Sequence, residues 1–122
     1  EKFIRKRADV KDLSDEGKKR WRKAICIFKK LYGQEMAERI EIVKKFNYDE
    51  VSEDTLGLYN ERTDTIYILI DVIERYDEYS FAMLMGVLIH EHVHRISGVP
   101  DRTREFENAL TQELGRIAEL FV

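Results

Sequence analysis

All three histidines of this 122-residue chain lie within a stretch of five residues, at positions 90, 92 and 94. His90 and His94 are four positions apart, and Glu91 directly follows the first of them. On a helix, residues four positions apart share one face and lie about 6 Å apart along the axis, so both imidazoles can bind the same ion. This spacing of these residue types is typical of zinc ligands. We therefore predict a Zn²⁺ site that includes His90 and His94.

Glu91 gives the predicted site a group that a purely structural zinc site does not need. A carboxylate beside a zinc ion can take a proton from the water that attacks a carbonyl and then pass it to the leaving nitrogen. The pattern is that of a zinc-dependent metalloendopeptidase, with Glu91 as the general base and acid. His92 lies two residues from either predicted ligand, so it points to the other side of the helix, where we expect a structural role.

A catalytic zinc site usually has three protein ligands. After the two histidines, the acidic candidates are Asp101, Glu105, Glu107 and Glu113. If the last two helices form an antiparallel hairpin, the partner of His94 lies near the start of the last helix, and Glu113 lies about 10 Å further along. We predict Glu107, because it is closer than Glu105 to the apolar stripe of that helix. Asp101, Glu105 and Glu113 stay open as alternatives.

Three helices are expected to position these residues. They cover residues 14 to 32, residues 78 to 97, and a final stretch that begins at Asp101 or Thr103. Ser14 or Asp15 caps the first helix, and Gly33 ends it. The second helix carries the motif, and Gly98, followed by a proline two residues later, ends it.

Three strands are expected between the first and second helices. They cover residues 39 to 46, 55 to 60 and 63 to 70, and the last two flank a turn at Glu61 and Arg62 that is typical of a hairpin. The sequence therefore predicts an α+β fold. An N-terminal backing helix and a small three-stranded antiparallel or mixed sheet would support the active-site helix and a C-terminal helix.

Length and composition are consistent with one folded unit. With 122 residues and 43% apolar content, the chain is long enough for one core, so we predict a single domain over residues 1 to 122. The longest apolar run, residues 81 to 89, is about half of the ~20 residues that a membrane-spanning helix needs, and we expect no contact with a membrane. The lone Cys26 fits a reducing compartment, so the expected location is the cytoplasm.

Positive charge is concentrated at the N-terminus. Residues 1 to 30 carry a net charge of +7 and the remainder −10. The basic stretch at 18 to 23 contains Trp21 and resembles a nucleic-acid patch, but Trp21 also belongs to the apolar stripe of an amphipathic helix. We therefore do not expect nucleic acid as a partner. The alternative function is a catalytically silent metal-binding or regulatory module of a larger protein, which would use this segment for docking.

The chain is similar to the minigluzincins, which are small single-domain zinc peptidases, and to the peptidase-like C-terminal domain of some archaeal ATPases. The similarity lies in residues 55 to 70, 86 to 94 and 97 to 115, and in the order helix, sheet, helix, helix. It implies a minimal zincin-like scaffold, zinc as the cofactor and peptide or protein substrates. It also implies that a C-terminal glutamate helix supplies the third ligand, which favours positions 105, 107 and 113 over Asp101.

The similarity leaves the third ligand open. The separation of His94 from Glu113 matches the gap found in some larger gluzincins. The metzincin pattern fits less well, because Gly98 follows His94 by four residues rather than three, and its last ligand position falls on Asp101. Small peptidases of this kind are often latent. The similarity therefore implies a cleft covered by a terminal segment, residues 2 to 7 or 120 to 122, or by self-association with a second copy of the chain.

Overall fold

The computed structural model describes residues 1–121, and within them the fold is α+β. The strands are β1 (Ile4–Arg7), β2 (Ile40–Phe46), β3 (Gly57–Asn60) and β4 (Thr65–Leu69). The helices are α1 (Asp15–Tyr32), α2 (Gln34–Ala37), α3 (Ile70–Glu74), α4 (Phe81–Ser97) and α5 (Arg104–Glu119). Val122, the last residue of the C-terminal segment named above, lies outside the described residues.

The sheet is mixed, and in the described residues it has four strands rather than the predicted three. Its order is β1-β2-β4-β3, with β2 and β4 parallel and the other two pairs antiparallel. The additional strand is β1, which comes from the basic N-terminal segment and pairs Ile4 with Phe46. Residues 4 to 7 are thus an edge strand of the sheet, and deleting them would expose the backbone of β2.

Helix α1 begins and ends at its predicted caps and α5 begins after Thr103 as predicted, whereas α4 begins at Phe81 rather than 78, after a Ser80 cap that was not predicted. Ser14 Oγ accepts a hydrogen bond from the Gly17 amide at the start of α1, and Gly33, with φ of 96°, ends the helix. Ser80 Oγ accepts from the Met83 amide at the start of α4, and Gly98 ends α4 in the left-handed conformation. These local signals confirm the predicted helices around the sheet. Nowhere in residues 1–121 does a helix combine the length and apolar character that crossing a bilayer requires.

The core joins α1, α3 and α4 to the sheet. Trp21, Ala24 and Phe28 of α1 are buried with Leu84 and Leu88 of α4, and the sheet contributes Val43, Phe46, Ile66 and Ile68. α4 contacts β3, β4, α1, α3 and α5, so it is the central helix of the fold. The motif is therefore carried by the helix that packs against most of the other elements.

β3 lies directly against α4. A Cβ added to Gly57 would lie 2.7 Å from Val87 Cγ1 and 3.2 Å from Glu91 Cγ, closer than a side chain normally permits. Glycine at this position allows the edge strand to approach the helix. The approach places the backbone of β3 beside the residues of the motif.

Candidate metal centre

Two imidazoles and one carboxylate converge at the C-terminal end of α4. The Nε2 atoms of His90 and His94 lie 3.1 Å and 2.9 Å from the same oxygen, Oδ1 of Asp101. In residues 1–121, these three side chains form the one group of His, Cys, Asp or Glu ligand atoms that all lie within 4.8 Å of one another. The structure thus contains a possible His/Asp metal-binding triad.

The tautomer of His94 points the lone pair of its Nε2 atom at Oδ1 of Asp101. Nδ1 of His94 lies 2.8 Å from the carbonyl oxygen of Val99, and a carbonyl oxygen can only accept, so Nδ1 carries the proton. In the neutral ring, the Nε2 lone pair then faces a carboxylate oxygen 2.9 Å away. Two electron-rich atoms at this distance need a cation, either a proton or a metal ion, to stabilise them.

The donor set fits zinc. Ligand atoms at 2.0 to 2.1 Å from a tetrahedral zinc ion are about 3.3 Å apart; the two separations from Asp101 Oδ1 are a few tenths of an ångström shorter, and all three ligand atoms lie within 4.8 Å of one another. Two imidazoles and a carboxylate leave a fourth position for water or substrate, which is the arrangement of catalytic rather than structural zinc sites. The hydrogen bond from His94 to Val99 also orients the ring, as second partners of metal-binding histidines do.

The loop between α4 and α5 brings Asp101 to the histidines. Gly98 has a φ of 66°, so the chain leaves α4 in a left-handed turn, and Pro100 then prevents a return to helix. Asp101, three residues after Gly98, therefore lies beside the last turns of α4, in contact with His90 and His94. Partial burial raises the pKa of Asp101, but His94 and His90 outweigh this effect and hold that pKa below its usual value.

Glu107, the predicted third ligand, does not belong to this group. It is exposed in the first turn of α5, as is Glu105. The residue of α5 that faces the histidines is Phe106, whose ring stacks on His94 with centroids 3.9 Å apart. Because consecutive helical residues differ by about 100° in direction, neither neighbour of Phe106 points the same way. Among the candidates, the geometry therefore favours Asp101 over Glu107.

Glu113 is occupied elsewhere. It is buried, accepts a hydrogen bond from the Tyr32 hydroxyl and pairs with Arg116, whose Nε and Nη2 each lie 2.8 Å from its oxygens. The hydrogen bond from Arg116 lowers the pKa of Glu113 despite its burial, and Tyr32 acts in the same direction. Glu113 thus joins α5 to α1 and is not grouped with the histidines.

Glu91 is buried next to the triad. Only 8% of the residue is exposed, and it lines both clefts at the site. Burial, followed by the nearby charge of Asp101, raises the pKa of Glu91 to about 8, while the backbone of Tyr59 acts in the opposite direction. A carboxylate whose pKa is raised toward neutrality has the proton affinity that general acid–base chemistry requires.

His92 faces away from the triad, as its position in the helix predicts. Its ring lies 3.9 Å from the ring of Tyr32 and makes an edge contact with Phe28. Burial, with a smaller contribution from Arg95, lowers the pKa of His92 to about 4. The neutral imidazole connects α4 to α1, and Arg95 Nη1 lies 3.3 Å from its Nδ1.

Two clefts meet at the triad. The larger, of about 1050 Å³, runs along β3 and is lined by Glu91, His94 and Asp101. The smaller, of about 490 Å³, is lined by His90, Glu91 and Asp101 and has Leu56, Met83, Gly86 and Val87 in its wall. Arg102, which the sequence analysis did not select, also lines the smaller cleft. The only signal for it in the sequence is its place directly after Asp101.

The exposed edge of β3 faces the larger cleft. The Leu69 amide donates to the Leu56 carbonyl, and Leu58 is registered with Tyr67, so residues 56 and 58 hydrogen-bond to β4. In an antiparallel pair the intervening residues point the other way. The N–H and C=O groups of Gly57 and Tyr59 therefore lie along the free edge of the sheet.

Comparisons of the chain with models of protein families, with curated protein sequences and with solved structures gave no match. The similarity to the minigluzincins thus stays a prediction made from the motif and its surroundings. The residues of the site and their geometry carry the argument for function.

Proposed function

We propose that this protein is a zinc-dependent peptidase of a zincin-like type, whose metal is held by His90, His94 and Asp101. The observation that carries the proposal is the convergence of both Nε2 atoms on one Asp101 oxygen. When bound, zinc acts as a Lewis acid and lowers the pKa of a coordinated water. The accessible cleft beside the triad supports a catalytic rather than a structural role.

Glu91 is the proposed general base and acid. Its carboxylate is buried, lines the same cleft as His94 and Asp101, and is not one of the three proposed ligands. It is therefore free to accept the proton of the attacking water and to deliver it to the nitrogen that leaves. A structural zinc site would have no use for a buried carboxylate in this position.

The free edge of β3 is the proposed binding surface for the substrate backbone. The outward N–H and C=O groups of Gly57 and Tyr59 can pair with an extended peptide, which would add to the sheet as a further strand. An extended peptide at this edge would pass beside Glu91 and the triad. Peptides and unfolded protein segments are therefore the proposed substrates.

The test combines zinc content with hydrolysis of a mixed peptide library, followed by mass spectrometry. We expect about one zinc per wild-type chain, and a zinc-depleted Asp101→Asn variant. Glu107→Gln is the matched control on α5 and should keep both zinc and hydrolysis. Glu91→Gln should keep zinc and lose at least about 10²-fold in rate.

Each result that departs from these expectations has a distinct meaning. Hydrolysis retained in Glu91→Gln would exclude the proposed acid–base role. Zinc lost in Glu107→Gln but kept in Asp101→Asn would restore Glu107 as the third ligand. A zinc-loaded wild type that hydrolyses no peptide in the library would favour the silent metal-binding module.

A further inference from the structure

Arg95, the residue after His94, carries a buried charge. Its side chain is 6% exposed, and its Nε donates to Oδ1 of Asp64 at 3.0 Å. A second contact joins Nη2 to the Asp64 carbonyl oxygen at 3.3 Å. Burying an arginine is costly unless its donors are well paired, and here the pairing joins α4 to the turn between β3 and β4.

Tyr59 of the edge strand is held by the same pair. Its hydroxyl donates to Oδ1 of Asp64 at 2.9 Å, and the Arg95 guanidinium lies 5.7 Å from its ring centroid. Asp64 has a φ of 51°, a left-handed conformation that Asp and Asn adopt more readily than most residues. Arg39 adds a longer ion pair, at 3.6 Å, to the other oxygen of Asp64.

The edge strand is therefore held against α4 at two places. One is the close approach of Gly57 to Val87 and Glu91. The other is the contact of Arg95 with Asp64 and Tyr59, about one helical turn beyond Glu91 and two beyond Val87. None of the three side chains at the second place belongs to the metal-binding group.

We propose that Arg95, Asp64 and Tyr59 are positioning residues that hold the free edge of β3 at a fixed distance from the metal centre. The proposal rests on the proposed peptidase function, because the edge is the surface that would receive the substrate backbone. The outward groups of Tyr59 and Gly57 define where an extended peptide pairs. A shift of this strand would displace the peptide from Glu91 and the triad without removing any metal ligand.

Three conservative variants separate the contacts. Asp64→Asn keeps the size of the side chain and its tolerance of a left-handed backbone but removes the charge. Arg95→Lys keeps the charge and loses the planar fork, and Tyr59→Phe loses only the hydroxyl. Arg75→Lys is the control, because its ion pairs with Asp71 and Glu78 lie away from the metal centre.

The first readout does not depend on activity. Native-state hydrogen exchange of the Leu58 and Asn60 amides, which face β4, should accelerate about tenfold in Asp64→Asn and Arg95→Lys, less in Tyr59→Phe and not in the control. Exchange of the Ile42 amide in β2 should not change. Zinc content should stay at the wild-type level in all four proteins.

The second readout is the division between KM and kcat. Asp64→Asn and Arg95→Lys should raise KM for a peptide substrate several-fold with a smaller change in kcat, because substrate alignment is lost while the triad is intact. A purely structural role would accelerate exchange throughout the sheet and leave KM unchanged below the unfolding temperature.

The outcomes distinguish this proposal from the proposed function. Unchanged exchange at Leu58 and Asn60 in both charge variants would overturn the positioning role, and so would zinc loss in parallel with faster exchange. If the wild type hydrolyses no peptide, the peptidase proposal fails. The exchange measurement then decides alone whether these residues hold the edge strand.

Discussion

Replacing Gly57 with alanine tests how closely the edge strand packs on α4. The new Cβ would lie 2.7 Å from Val87 Cγ1, 3.2 Å from Glu91 Cγ and 3.3 Å from the Tyr67 carbonyl oxygen. Contacts this short cannot persist, so either Val87 or the whole of β3 must move. Overpacking of this kind costs about 1 to 3 kcal/mol, and we expect Gly57→Ala to lower the free energy of unfolding by about 2 kcal/mol.

The shortest of these contacts is made with Val87 alone, so a double-mutant cycle of Gly57 and Val87 can isolate it. Val87→Ala removes Cγ1 and costs roughly 1 kcal/mol by itself, because the side chain is partly buried. Gly57→Ala adds one methyl group and Val87→Ala deletes two, Cγ1 among them, so the double variant relieves the 2.7 Å contact and leaves a small deficit in packing. The double variant should be at least about 1 kcal/mol more stable than the sum of the single effects indicates.

The assay is urea unfolding with Zn²⁺ added to the buffer, followed by circular dichroism. Gly86→Ala in α4 is the matched control, since a Cβ there meets nothing within 4 Å and alanine favours a helix by about 0.5 to 1 kcal/mol. A Gly57→Ala variant as stable as the wild type would refute the close packing, and so would additive effects in the cycle. Under either result, β3 would not be held against α4 as described.

Three further predictions concern α5 and the residue Phe121 that follows it. The lowered pKa of Glu113, caused first by its hydrogen bond with Arg116, contributes stability above the ordinary glutamate pKa of 4.5, and this contribution is lost as the pH falls through the folded-state value. Glu113→Gln should therefore flatten the acid side of a stability curve measured by thermal unfolding between pH 2 and 6, and an unchanged curve would contradict the pairing. Phe106→Ala should cost about 3 to 5 kcal/mol and weaken zinc binding, because the buried ring packs on both histidines. Phe121→Ala, at an 85% exposed position, should change stability by less than about 0.5 kcal/mol in the same thermal unfolding experiment.

The helices could be predicted because their ends depend on short-range chemistry. The predicted Ser14 cap and the predicted glycine stops at Gly33 and Gly98 are used in the structure, whereas the short helices α2 and α3 were not predicted, and Ile70, predicted as strand, begins α3. The strand β1 could not be predicted in the same way. It is four residues long with a single partly buried residue, Ile4, so its pairing with β2 depends on contacts about 40 positions away.

The position of a third ligand could not be predicted from helical periodicity alone. The sequence placed His90, Glu91 and His94 on one helix, which requires only helical periodicity. Choosing Glu107 required the orientation of α5 relative to α4, and that orientation depends on the loop that follows Gly98. The left-handed turn at Gly98 and the burial of Phe106 bring Asp101 to the histidines instead. Gly98 and Pro100 were the signal in the sequence that the chain turns sharply at this loop.

The sparse packing of α5 has a consequence for cooperativity. Of its residues, all within the described part of the chain, only Phe106 and Glu113 are buried. The loop that carries Asp101 immediately precedes this helix, so an ion shared by Asp101 and α4 would act as a third point of attachment for it. Ligand at a hundred times its dissociation constant adds about 2.7 kcal/mol to the free energy of the state that binds it. The segment from Asp101 to the end of α5 would then open as a separate unit when the ion leaves, while the sheet and α1 keep their structure.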